Sequence, residues 1–241
     1  MLVEFEFKNE PFEGFVFRNI YTIKNSQNLF DELCDTAEEK NILEYWSEKS
    51  SFIDHKKPQY HRFAQYSEIE NTPFPPTPEI LAPLIDACES RFSDGTFGIW
   101  YSALDEQTTI SETLYWTYKW WKKDIEAAKN PYVTDRKIFQ AKIKTAKTYN
   151  LTSMAKEFPE LMHKNDYTFC RSIGKYAKEN SVEALLTLSV RHDGGICVPI
   201  FTPDIIEKIQ FMRFYHYTFY KDGQYLITED KDYKATIPSD W

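Results

Sequence analysis

The sequence predicts a mixed α+β chain with a mostly antiparallel sheet core and flanking helices. Short runs rich in β-branched and aromatic residues are interspersed with helical patterns. Two pairs of those runs face each other across Asp-Gly turns, which joins neighbouring strands in antiparallel fashion. No internal repeat or low-complexity segment interrupts the 241 residues, so neither a solenoid nor a fibrous class is indicated.

The elements follow in chain order. Residues 2–8 (LVEFEFK) alternate apolar and charged side chains, the period of a half-buried strand, and residues 28–46 read as an amphipathic helix. Residues 1–55 are therefore expected to form an N-terminal extension packing on a core of residues 56–241. Prolines 73, 75, 76, 78 and 83 remove backbone donors from the next stretch, which is expected to be extended and to lead into a short helix ending near Cys88. Residues 98–104 (GIWYSAL) read as a strand, and Asp105 as the N-cap of a helix carrying Thr109, Glu112, Tyr115 and Trp116. Residues 133–149, rich in Lys, and residues 166–180 are both expected to be helices outside the sheet. A strand at 183–190, a turn at 191–195 and a returning strand at 196–201 come next. Thr202-Pro203-Asp204 opens a short helix, and residues 212–220 and 224–228 form a closing hairpin across Asp222-Gly223.

Composition excludes several classes. Lys plus Arg total 29 against 37 for Asp plus Glu, a net charge of −8 that repels nucleic acid backbones and anionic membranes. The first residues carry carboxylates where a signal peptide needs an apolar run, and no apolar stretch approaches the roughly 18 residues of a membrane span. A cytoplasmic location is expected. Cys34, Cys88, Cys170 and Cys197 are widely spaced, which implies reduced thiols rather than a disulfide framework or structural zinc. The histidines form no H-E-x-x-H, and there is no G-x-G-x-x-G, Walker or G-x-S-x-G loop. No metal is expected.

Glycine is scarce, yet Gly95, Gly98, Gly194 and Gly195 fall in two short segments where charged or hydroxyl residues meet strands. The first runs from Arg91 through Tyr101 to Glu112; the second is Leu188-Ser189-Val190-Arg191-His192-Asp193-Gly194-Gly195. Residue types alone favour ordinary hairpin turns and solvated arginines. The spacing of Arg91, Tyr101 and Glu112 across loop, strand and helix instead lets a guanidinium, a phenol and a carboxylate converge at one strand end.

Those two blocks carry a resemblance. Arg91-Phe92, GIWYSALDEQTTISET from Gly98 to Thr113, and LTLSVRHDGGICVPIFTPD from Leu186 to Asp204 resemble the RES-domain family, named for an arginine, a glutamate and a serine. The similarity spans roughly residues 60 to 220. It implies an ADP-ribosyltransferase-like fold and consumption of NAD by hydrolysis, phosphorolysis or ADP-ribosyl transfer. It further implies a toxin neutralised by a partner antitoxin of the Xre type. By motif, Arg91, Glu112 and Ser189 are the family's arginine, glutamate and serine, with Tyr101 the cleft tyrosine and Arg62 a looser match to an earlier arginine.

The chemistry suits those residue types. Breaking the nicotinamide bond develops positive charge on the ribose, which a carboxylate, Glu112, can stabilise. A guanidinium can clamp the pyrophosphate: Arg91 first, with Arg62 and Arg191 assisting. Tyr101 offers the nicotinamide a stacking face, and Ser189 a hydroxyl to ribose or amide. NAD is thus the expected substrate, with water or phosphate as acceptor. Transfer to a protein and a non-catalytic binding module are the alternatives, and homodimerisation is left open.

Overall fold

The computed structural model describes residues 7–22, 82–84 and 87–230. Residues 2–6 of the strand expected at 2–8, the helix expected at 28–46, the proline-rich segment before residue 82, and Arg62 lie outside these residues.

A seven-stranded sheet organises the chain. Its strands are β1 (Glu10–Thr22), β2 (Trp100–Ala103), β3 (Tyr132–Asn150), β4 (Ala184–Leu188), β5 (Ile196–Ile200), β6 (Ile206–Phe219) and β7 (Tyr225–Glu229). The order is β1-β2-β5-β4-β3-β6-β7, and β1 also pairs with β3, so five strands return on themselves while β6 and β7 extend from β3. Only β3 and β4 run parallel; the other pairings are antiparallel. The expected mixed, mostly antiparallel α+β architecture is what the chain adopts.

The Lys-rich stretch at 133–149 is not a helix but most of β3, the longest strand. Within it Ala141, Ile143 and Thr145 are buried, with Lys142 and Lys144 between them on the other face. Those lysines are held by cross-strand carboxylates: Lys142 by Glu13 and Glu207 at 3.3 Å each, and Lys144 by Glu13 at 2.8 Å. Helical density of charge and strand alternation look alike here; β-branched Val133, Thr134, Ile138, Ile143, Thr145 and Thr148 decide for the strand.

The first strand begins at Glu10, after the alternating segment at 2–8, and residues 7–9 are outside any strand. From Val16 to Ile20 it is covered on both faces, with Arg18 and Asn19 buried beside apolar neighbours, which erases the period-two pattern. β1 therefore lies inside the sheet, bonded to β2 on one side and β3 on the other.

Among the described residues, besides a helical turn at 82–84, the helices α1 (Glu106–Ala127) and α2 (Thr168–Glu179) flank the sheet. Asp105 caps α1 as expected, its carboxylate accepting the Thr108 backbone N–H at 2.7 Å and the Thr108 hydroxyl at 2.6 Å. α2 matches the helix read at 166–180. Thr202 caps a short 3₁₀ turn at Pro203–Ile205, and Gly223, at φ +83°, closes the β6–β7 hairpin.

One apolar cluster joins Val16, Trp100, Ile143, Val198, Ile200 and Ile209 across the strands. A second holds Phe92, Leu161, Cys170, Ile173 and Leu185 beneath α2. Both give the loop that carries Arg91 and the β4–β5 turn a rigid base.

Candidate active site

The loop before β2 is drawn inward by local hydrogen bonds. Ser90 Oγ accepts the N–H groups of Phe92 and Ser93, and the Ser93 hydroxyl donates to the Phe97 carbonyl at 2.6 Å. Gly95 turns the chain at φ +93°. Arg91 and Phe92 are thereby pushed into the interior, 5% and 0% exposed. Gly174 of α2 lets this happen, since a Cβ there would lie 1.8 Å from the Phe92 carbonyl oxygen.

Arg91 reaches two backbone carbonyls. Its Nη1 donates to Leu188 at 2.9 Å and its Nη2 to Leu161. These bonds tie the end of β4 to the short 3₁₀ segment at Pro159–Met162. Nε has no partner among the described residues, and each terminal nitrogen keeps a second proton. Burial works against the Arg91 charge, but the acidic protons of Tyr101, Cys170 and Cys197 around it would leave before its own, so Arg91 stays a cation.

The turn between β4 and β5 positions Ser189. Ser189 N–H donates to the Gly195 carbonyl at 2.7 Å, and Gly195 N–H to His192 at 3.1 Å. The Ser189 hydroxyl oxygen accepts the backbone N–H groups of Arg191 and His192 at 3.0 Å each. Its proton is left to donate outward, and it does so to Glu112 Oε1 at 2.6 Å. Gly195 must be glycine, because a Cβ there would stand 2.3 Å from Thr108 Oγ1 on α1.

Glu112 projects from the second turn of α1 toward this hydroxyl. The Cys197 sulfur lies 3.5 Å from the same Oε1. Both of these contacts fall on Oε1, and Oε2 has no hydrogen-bond partner among the described residues. Burial, and then the adjoining Glu112 carboxylate, push the Cys197 thiol well above its usual range, so it stays a protonated donor. Burial does the same to the Tyr101 phenol, against the pull of Arg91, so Tyr101 is neutral. In the β2–β5 register Tyr101 faces Pro199 and Ala103 faces Cys197, which puts Tyr101 and Cys197 on one face of the sheet.

Arg91, Tyr101, Glu112 and Ser189 thus gather around one end of the sheet. Arg191 is joined to them only through its backbone. Its guanidinium stacks on Tyr115, Cζ 3.3 Å from the ring centroid, and donates to the Tyr167 hydroxyl at 3.2 Å and the Lys164 carbonyl. The sequence reading missed Cys197, Tyr115 and Tyr167. Cys197 was detectable by period-two counting from Pro199 once the β5 strand was drawn. Tyr115 was detectable as the i+3 neighbour of Glu112, but Tyr167 comes from another helix start and had no local signal.

The sequence model of the RES domain matches residues 59–219. The chain belongs to the RES domain family. Glu112 and Ser189, matched by resemblance to the family's glutamate and serine, are in direct contact, and Arg91, matched in the same way to its arginine, holds the carbonyl of the residue before Ser189. Strand β1 lies outside the residues of the RES match but pairs with β2 and β3 within them. Among solved structures, a chain of the M. tuberculosis MbcT-MbcA toxin-antitoxin complex is similar at 13% identity, over 55% of this chain and 73% of that one, with a TM-score of 0.39. No curated protein matches. Among the described residues there is no group of three or more His, Cys, Asp and Glu able to hold a metal, and no helix long and apolar enough to cross a membrane.

Proposed function

We propose that this RES-domain chain cleaves the nicotinamide–ribose bond of NAD, with water or inorganic phosphate taking the ADP-ribosyl group. The observation that carries the reading is the Ser189–Glu112 hydrogen bond of 2.6 Å, which engages one carboxylate oxygen and, with Cys197 beside the same oxygen, holds the carboxylate in one orientation. As nicotinamide departs with the bonding electron pair, positive charge develops at the ribosyl carbon, and a carboxylate held in place in advance stabilises that charge without reorganising. Water or phosphate then attacks the same carbon; when water attacks, its proton is lost to solvent or to a base. The neutral Tyr101 ring is the platform for the nicotinamide.

The geometry changes the role proposed for Arg91. Two of its nitrogens already hold main-chain carbonyls and the side chain is buried, so it fixes the loop bearing Ser189 and adds a positive field behind Tyr101. Arg191, seated on the Tyr115 ring of the helix that carries Glu112, is the guanidinium proposed for the pyrophosphate. Arg62 keeps the assisting role proposed from its motif.

Following the RES resemblance, the chain acts as the toxin of a pair with an antitoxin, acts on NAD in the cytoplasm and needs no metal. The test is to incubate purified protein with NAD, with and without phosphate, and to follow nicotinamide, ADP-ribose and ADP-ribose phosphate. Nicotinamide release that vanishes in Glu112→Gln supports the reading; no release, with or without an added protein acceptor, overturns it. Release only with a protein acceptor shifts the assignment to ADP-ribosyl transfer.

A further inference from the structure

On α1, Glu112 is followed by Tyr115, Trp116, Lys119 and Trp120. Offsets of three, four, seven and eight keep these side chains on the same side of a helix. Trp116 meets Tyr115 edge-on at 5.3 Å between centroids and Trp120 at 5.5 Å, so each ring supports the next. Two cations lie on this row. Lys119 Nζ sits 4.7 Å from the Trp116 centroid and 5.7 Å from that of Tyr115, and Arg191 covers Tyr115. Neither cation meets a carboxylate among the described residues, in a chain with 37 acidic and 29 basic residues. The row ends in Trp120, 71% exposed, which touches only Trp116 among the described rings.

An indole braced from one side and open on the other is a stacking surface. Cations left unneutralised beside it suit an anion. We infer that this row, given the NAD reading of the Glu112 site, binds the adenosine-pyrophosphate half of the dinucleotide, with Lys119 and Arg191 at the phosphates and Trp120 under the purine. The spacing agrees: the eight residues from Glu112 to Trp120 rise about 12 Å along the helix axis, the scale of the phosphates and pentose that separate the two ends of the dinucleotide. Specificity then comes from the row and bond breaking from Glu112.

Calorimetric titration of ADP, the probe for this half, and of nicotinamide mononucleotide, the probe for the other, tests the assignment on wild type, Trp120→Ala and Lys119→Ala. Trp120 is exposed, so its replacement should leave the melting temperature unchanged. Loss of one base–aromatic stack in Trp120→Ala should weaken ADP binding about tenfold or more, Trp120→Phe should restore part of it, and the nicotinamide mononucleotide affinity of Trp120→Ala should stay the same, whereas Lys119→Ala, which removes a charge at the phosphates, should weaken both probes. Equal ADP affinity in all variants, or no ADP binding by wild type, overturns the inference whether or not NAD is cleaved. Variants that lose a protein partner while still binding ADP normally also overturn it. ADP binding that depends on Trp120 in a protein releasing no nicotinamide upholds this row and removes the catalytic reading.

Discussion

Ser189→Ala separates positioning from catalysis most sharply. The hydroxyl donates to Glu112 at 2.6 Å and accepts two backbone N–H groups of the β4–β5 turn at 3.0 Å. A hydrogen bond to a charged group contributes about 1.5–3 kcal/mol net. If most of that serves to aim the carboxylate, kcat should fall roughly 10- to 100-fold, at about 1.4 kcal/mol per tenfold. KM should change little, because the carboxylate acts on charge that develops after binding. The assay is steady-state nicotinamide release from NAD, with a urea unfolding curve on the same preparation to correct for loss of folded protein. Ser189→Thr keeps the hydroxyl and should retain much of the rate. A Ser189→Ala enzyme with wild-type kcat would refute the argument that this bond orients the catalytic carboxylate, and a loss that follows the unfolded fraction alone would make Ser189 a turn residue only.

Four other outcomes follow from the same geometry. Gly174→Ala drives a methyl to 1.8 Å from the Phe92 carbonyl oxygen and should lower stability by about 1–3 kcal/mol or more, read as a drop in melting temperature. Asp105→Ala removes the α1 cap and should cost about 0.5–2 kcal/mol in urea unfolding, while Asp105→Ser should cost much less. Cys88 is exposed whereas Cys170 and Cys197 are buried with thiols raised chiefly by burial, so mass-spectrometric mapping after brief iodoacetamide treatment should find Cys88 labelled and the other two protected until denaturant is added. Burial raises the Tyr101 and Tyr217 phenols, so the folded state holds their protons more tightly than the unfolded chain; stability is intact below about pH 10 and should decline as pH rises through the folded values, with phenolate absorbance appearing together with unfolding.

What was legible in the sequence followed from local chemistry. The Asp105 cap, the Asp-Gly turns and the β4–β5 hairpin each depend on residues within a few positions of one another, and each formed where it was expected. The convergence of Arg91, Tyr101 and Glu112 was readable from their spacing across loop, strand and helix, whereas Ser189, 77 residues beyond Glu112, was placed by the family resemblance. The long strands were not. In β3, lysines whose charges are balanced by Glu13 and Glu207 on neighbouring strands look like the polar face of a helix until those partners are known. In β1, burial of Arg18 on the Tyr101 carbonyl and of Asn19 against Arg136 and Tyr217 replaces alternation with a tertiary polar network.

Arg91 shows why residue type names a site more readily than a role. From sequence an arginine beside a glutamate and a serine reads as an anion clamp, and its electrostatic suitability for that is real. The fold instead engages its terminal nitrogens with the Leu188 and Leu161 carbonyls, one residue from Ser189 and one from Met162 at the end of a 3₁₀ turn. A guanidinium so engaged ties the end of β4 to the 3₁₀ turn. Arg91→Lys keeps the charge and loses the fork, so it should disturb Ser189 more than it disturbs phosphate affinity. The expected result is a kcat defect close to that of Ser189→Ala with ADP affinity near wild type. An Arg91→Lys protein with normal kcat and weakened ADP binding would return Arg91 to the clamp role and leave Leu188 to be held by the sheet alone.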